Sequence, residues 1–165
     1  MLYLQKPQQS PSPETQRSLH AADGYLTLGL PDEALREIKD IPPPERGAPV
    51  VCLAHIRALL HLHRWSAAER LSRHSAVRFP EEEEFTVQRA FALHRMEHGE
   101  AAVAVLHAAP DWIRRTGILH YNLACYEARL GNLAAARECI DAAIEMNAEM
   151  KKRARIDPDL AALWN

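Results

Sequence analysis

Alanine returns at intervals of 34 residues along this chain, at Ala34, Ala68, Ala102 and Ala136, and that spacing restricts the fold more than any other feature. Twelve residues upstream of each stands a second column, Ala22, Ile56, Ala90 and Ala124. A fixed period of this length marks a unit that cannot bury its apolar face alone and stacks on copies of itself. The common phase divides the chain into units over 15–48, 49–82, 83–116 and 117–150. Within them apolar residues recur at three and four rather than two, as in Leu53, Ile56 and Leu60 or Ile140, Ala143 and Ile144. That is the period of an amphipathic helix. Stretches of alternating Val, Ile and Thr are missing, and prolines and glycines cut the chain into helix-sized pieces. The expectation is an all-α chain with short turns.

Local signals place the helix ends. Ser12-Pro13-Glu14 offers a cap, a first-turn proline and an acid beside it, and Asn132 follows Gly131 as a second cap. Pro42 to Pro44 should end a helix early, whereas Glu81 to Glu84 after Pro80 favour a helix amino end and read as a solvated acidic face. Lys151-Lys152-Arg153 puts positive charge near the end of a helix, and Asp157-Pro158 opens a further short one. In that last piece Leu160, Leu163 and Trp164 are expected to cover the open end of the stack.

Composition excludes several classes. Twenty Lys+Arg oppose 22 Asp+Glu, a net charge of -2, and this lacks the cation excess that phosphate neutralisation needs, so no nucleic-acid partner is expected. No apolar run approaches the roughly 20 residues that cross a bilayer, so no membrane span is expected. Cys52, Cys125 and Cys139 are odd in number and lack paired metal spacing, which fits a reducing compartment. Residues 1–13 carry no apolar signal-peptide core and read as a flexible arm of a cytoplasmic protein.

The residues at these positions resemble the tetratricopeptide repeat, a 34-residue helix-turn-helix unit with a small residue in each helix. The last unit carries the resemblance best, with Tyr121-Asn122-Leu123-Ala124 in the first helix, Gly131-Asn132 at the turn, and Ala136, Ile140 and Ala143 in the second. The first unit matches at Ala22, Tyr25, Gly29, Ala34 and Ile38, and the middle units match at Trp65, Ala68, Pro80, Ala90, Leu93, Ala102 and Leu106. Departures stand at Ile56, where a small residue is usual, and at His55 and Arg89, where leucine is usual. The resemblance implies a right-handed superhelical solenoid of four antiparallel helix pairs over 14–150, closed by a capping segment over 151–165.

The resemblance further implies a protein-binding scaffold without catalysis, cofactor or metal, with ligands held in the concave groove lined by the first helices. The corresponding groove residues are Leu19, Asp23, Leu53, Arg57, His61, Val87, Phe91, His94, Arg95, Tyr121, Asn122, Cys125 and Arg129. Such a groove suits a peptide or helix with apolar anchors and an acidic flank. The clamp that some co-chaperones use for a terminal carboxylate is not expected, because Leu19 and Asp23 stand where that clamp needs Lys and Asn. One alternative is a self-associating structural subunit.

A remoter alternative is chemical. His94-Arg95-Met96-Glu97-His98 matches H-x-x-E-H, in which two imidazoles one helical turn apart hold zinc and the Glu acts as base. The pattern falls where a first helix gives way to its turn, and no third ligand is evident. His61, His63 and His74 read as surface histidines, and Cys125 as a small packing residue facing the groove.

Overall fold

The computed structural model describes residues 10–164, and among these there is no strand. The expected arm over 1–13 therefore lies mostly outside the described residues. Ten α-helices follow in order: α1 (Pro13–Thr27), α2 (Pro31–Asp40), α3 (Pro49–His61), α4 (Trp65–Arg78), α5 (Glu83–Arg95), α6 (Gly99–His107), α7 (Asp111–Arg114), α8 (Gly117–Arg129), α9 (Leu133–Met146) and α10 (Met150–Ile156). A 3-10 helix over Pro158–Leu163 ends the fold.

Helices α1/α2, α3/α4, α5/α6 and α8/α9 pack as pairs, and the first helices α1, α3, α5 and α8 each touch the next along an inner layer. Both alanine columns explain this. Ala34, Ala68, Ala102 and Ala136 are fully buried, as are Ile56, Ala90 and Ala124, with Ala22 close behind. A methyl side chain at a crossing lets two helix backbones approach, and the larger side chains around it then fill the seam.

Each pair turns in the same way. The residues at 29, 63, 97 and 131 all hold positive φ: Gly29 at 72°, His63 at 56°, Glu97 at 61° and Gly131 at 84°. In each turn the following amide reaches back five residues, as Leu30 N–H to Tyr25 O, Arg64 to Leu59, His98 to Leu93 and Asn132 to Glu127. This is the Schellman closure of a helix, in which glycine is the unstrained choice. Two of the four positions hold a side chain against that preference.

Several end signals behave as their chemistry requires. Ser12 accepts from the Thr15 amide at 3.2 Å, α2 stops at Asp40 before the proline run, and Glu83 and Glu84 sit in the first turn of α5. One expectation is corrected. Asn132 makes no side-chain cap, because its amide donates instead to the buried Glu127 carboxylate at 2.7 Å. Lys151-Lys152-Arg153 lie in α10, which is separate from α9, and Arg153 stands in its last turn. A one-turn helix, α7, interrupts the third connection and buries Ile113.

The core falls into three clusters. One joins α1, α2 and α3 around Ala22, Ile38, Ile41 and Val51. A second surrounds Ile56, Leu59, Ala68 and Phe85. The third and largest runs from Ala90 to Leu163, and includes Tyr121, Tyr126, Leu160 and Leu163 of the C-terminal segment. No helix among the described residues is long and apolar enough to cross a membrane.

Candidate functional site

The 34-residue period carries the groove candidates into columns along the inner layer. Leu19, Leu53, Val87 and Tyr121 form one, Asp23, Arg57, Phe91 and Cys125 a second, and His61, Arg95 and Arg129 a third. The structure brings the members on α1, α3 and α5 together around a continuous trough. Its first depression, of about 330 Å³, is lined by Leu19, Asp23, Leu26, Leu53 and Arg57. A second, of about 460 Å³, continues from Arg57 past Leu60, His61 and Trp65 to Phe91 and Arg95. The third, of about 390 Å³, runs from Phe91 and Val87 to Ile118 and Asn122, with Glu83 and Glu84 on its rim. Phe91 is 36% exposed and is shared by the second and third depressions.

The charges in the trough partly answer one another. Arg57 Nη2 meets Asp23 Oδ1 at 3.0 Å across neighbouring first helices, with both side chains about half exposed. An exposed pair of this kind is worth little and exchanges easily for a ligand's group. Arg57 and Arg95 line the second depression, while Glu83 and Glu84 line the third and Glu84 also reaches the first.

At the fourth unit the trough is closed by the chain itself. Tyr121 and Cys125, expected on the open groove, are 2% and 5% exposed. The cause is the C-terminal segment: the Tyr121 hydroxyl donates to Asp157 Oδ2 at 2.7 Å, and Cys125 Sγ lies 3.8 Å from the same carboxylate. Asp159 meets His94 Nε2 at 3.4 Å and Arg129 Nε at 3.9 Å, so His94 and Arg129 also serve this contact. Arg129 additionally lies 3.5 Å from Glu97. Leu160 and Leu163 are buried beneath, and the Trp164 indole donates to Ala154 O at 3.0 Å. Trp164 itself stays 42% exposed.

Cys125, Asp157 and Asp159 offer ligand atoms within 4.8 Å of one another. Asp157 accepts from the Tyr121 hydroxyl and the Asp159 amide, and Asp159 lies beside His94 and Arg129, so these groups fasten the segment. Burial first, and the neighbouring carboxylates second, push the Cys125 thiol well above its ordinary value, which leaves it a poor thiolate. The H-x-x-E-H pattern does not lie on one helix. His94 is in the last turn of α5, Glu97 is a turn residue, and His98 precedes α6 as its cap. The one-turn spacing that such a zinc pair needs is therefore absent.

Two histidines make stability depend on pH. Burial pushes both His55 and His94 below the ordinary 6.5, with Lys39 adding to the effect at His55 and Asp159 opposing it at His94. Below about pH 6.5 the unfolded chain then binds more protons than the folded one, so stability is full above that pH and falls as the pH drops through the depressed folded-state values. The melting temperature is expected to fall between about pH 7.5 and about pH 5.5, and the His55→Gln, His94→Gln double variant should flatten the fall. A wild-type melting temperature that rises over this interval would contradict the assignment.

Two lining residues, His63 and Trp65, escape a reading confined to first helices. The signal for them was the turn position itself, which places side chains of the connection beside the end of α3. Trp65 stacks with His63 at 4.9 Å between ring centroids and meets Phe91 edge-on at 6.3 Å.

No protein-family model matches the chain, and no curated protein sequence matches it. Solved structures of MamA share its fold. MamA from residue 41 to its end, from Desulfovibrio magneticus RS-1, superposes with a TM-score of 0.71 at 18% identity, covering 93% of this chain and 85% of that one. An RS-1 MamA double mutant gives the same values, and MamA of AMB-1 gives a TM-score of 0.62 at 16% identity over 81% and 78% of the two chains. The fold is that of a tetratricopeptide-like solenoid.

Proposed function

We propose that this tetratricopeptide-like stack is a protein-binding scaffold that holds a helix or extended segment of a partner in the trough along α1, α3, α5 and the start of α8, without catalysis. The observation that carries the reading is the continuity of the trough, with Phe91 standing exposed where two of its depressions meet. Binding would bury partner side chains against Leu19, Leu53, Val87 and Phe91, the well-desolvated contacts that dominate interface energies. The charges would set register, since Arg57 and Arg95 favour acidic groups in the second depression and Glu83 and Glu84 basic groups in the third. The three free cysteines fit a reducing, cytoplasmic setting.

A glutamate at position 91 places an unpaired charge at the junction of the trough. Phe91→Glu is therefore expected to abolish partner retention in affinity capture from the host lysate, while far-UV circular dichroism stays at the wild-type level. Retention of the same proteins by both baits would sink the trough reading, and light scattering at two concentrations would then test self-association.

A further inference from the structure

Arg95 and Arg129 hold the same place in successive units, each in the last turn of its helix, yet among the described residues only Arg129 has an acidic partner. Arg129 lies 3.9 Å from Asp159, the residue that leads into the fully buried Leu160. The inner face of the fourth unit thus receives an acid followed directly by a leucine. One unit back, Arg95 forms no ion pair among the described residues, and its guanidinium lies over the Trp65 ring at 5.1 Å.

The surroundings of Arg95 extend the parallel. The depression of about 460 Å³ beside it is lined by Arg57, His61, His63 and Arg95 with Trp65 and Phe91, and among the described residues none of its lining is acidic. His63 keeps an imidazole against Trp65 at φ 56°, at a turn position where Gly29 and Gly131 show the unstrained alternative. A guanidinium over an aromatic ring keeps N–H donors for a carboxylate, and Arg95 is exposed.

We propose that this depression is an acid-reading subsite, which takes an Asp or Glu side chain of the partner segment with the neighbouring leucine or aromatic residue set against Trp65 and Phe91. It does there what the fourth unit does with Asp159 and Leu160. The partner is therefore an acidic peptide segment, chosen by Arg95, which forms no ion pair among the described residues, with Arg57 beside it. This inference rests on the trough reading above and narrows it.

The test uses two synthetic peptides and the full chain labelled with nitrogen-15. One peptide reproduces residues 156–163, Ile-Asp-Pro-Asp-Leu-Ala-Ala-Leu, and the other replaces both aspartates by asparagine. The acidic peptide is expected to move the Trp65 indole resonance and to bind about tenfold more tightly than the asparagine peptide. Arg95→Gln should weaken it about tenfold. His63→Gly should weaken it about threefold without lowering the melting temperature, because the turn accepts glycine. The proposal is overturned if the Trp65 resonance does not move, if shifts appear only around Tyr121 and Arg129 through exchange with the resident segment, or if Arg95→Gln and the asparagine peptide stay within twofold of the reference. If shifts at Leu19, Leu53 and Val87 survive in that case, the trough reading stands and only the acid preference fails. An absence of shifts along the whole trough counts against both.

Discussion

Ending the chain after Arg155 is expected to lower its stability by about 3 kcal/mol and its melting temperature by about 9 °C. Leu160 and Leu163 are 0% and 3% exposed, and burying such a side chain contributes roughly 1.5–3 kcal/mol. The cut also removes the Tyr121–Asp157 hydrogen bond and the 2.8 Å bond from Arg137 to Leu163 O. The ordering entropy of the lost residues offsets part of the sum. A second reading comes from chemistry: Cys125, now shielded by this segment, should react with a thiol reagent at the rate of an exposed cysteine in the shortened chain. A shortened chain that melts within about 2 °C of the full one, with Cys125 still protected, would show that the segment contributes no fold stability.

Ala136→Leu is expected to cost about 3 kcal/mol, again about 9 °C in melting temperature, whereas Ala134→Leu should change stability by no more than about 0.5 kcal/mol. The two positions differ by two residues on α9, but Ala136 is fully buried in the cluster that also holds Ala124, and Ala134 is exposed. Three added carbons have no void to enter at a close-packed crossing, so the helices must separate. Ala34, Ala68 and Ala102 share that burial, and leucine at any of them should have a like effect. Equal melting temperatures for the two α9 variants would mean that the small residue is not what sets the approach of α8 and α9.

This is also why so much of the fold was legible. Close helix crossings exclude side chains, and the exclusion is written as alanine at a fixed spacing, so Ala34, Ala68, Ala102 and Ala136 record where backbones meet. Capping is local chemistry, and Ser12 and Asp157 show it openly, each accepting from an amide two or three residues on. What escaped was set by contacts without a period. Asp157 and Asp159 reach back to Tyr121, His94 and Arg129 across a large stretch of chain, and no spacing rule announces such a return. Tyr121 and Cys125 were therefore placed on an open surface that the segment covers. The left-handed turns at His63 and Glu97 were hidden because the residues there are not glycine, although the period points to both from Gly29 and Gly131. The Arg57–Asp23 pair was within reach of sequence, since opposite charges one period apart on inner helices face each other.

The division of the core into unequal clusters gives the molecule two tempos. Stacked units open in pieces, and the pieces with the least apolar burial open first. The two smaller clusters lie under α1 to α4 and one face of α5, while α8, α9 and the closing 3-10 helix share the largest. Backbone amides of the first two units should therefore exchange with deuterium sooner than those of the last, the C-terminal half acting as an anchor on which the rest breathes. The trough spans both halves, so a segment lying along it would couple the slow end to the fast one. Occupancy would then be felt as a slowing of amide exchange across α1 to α4, far from any change in the shape of the anchor.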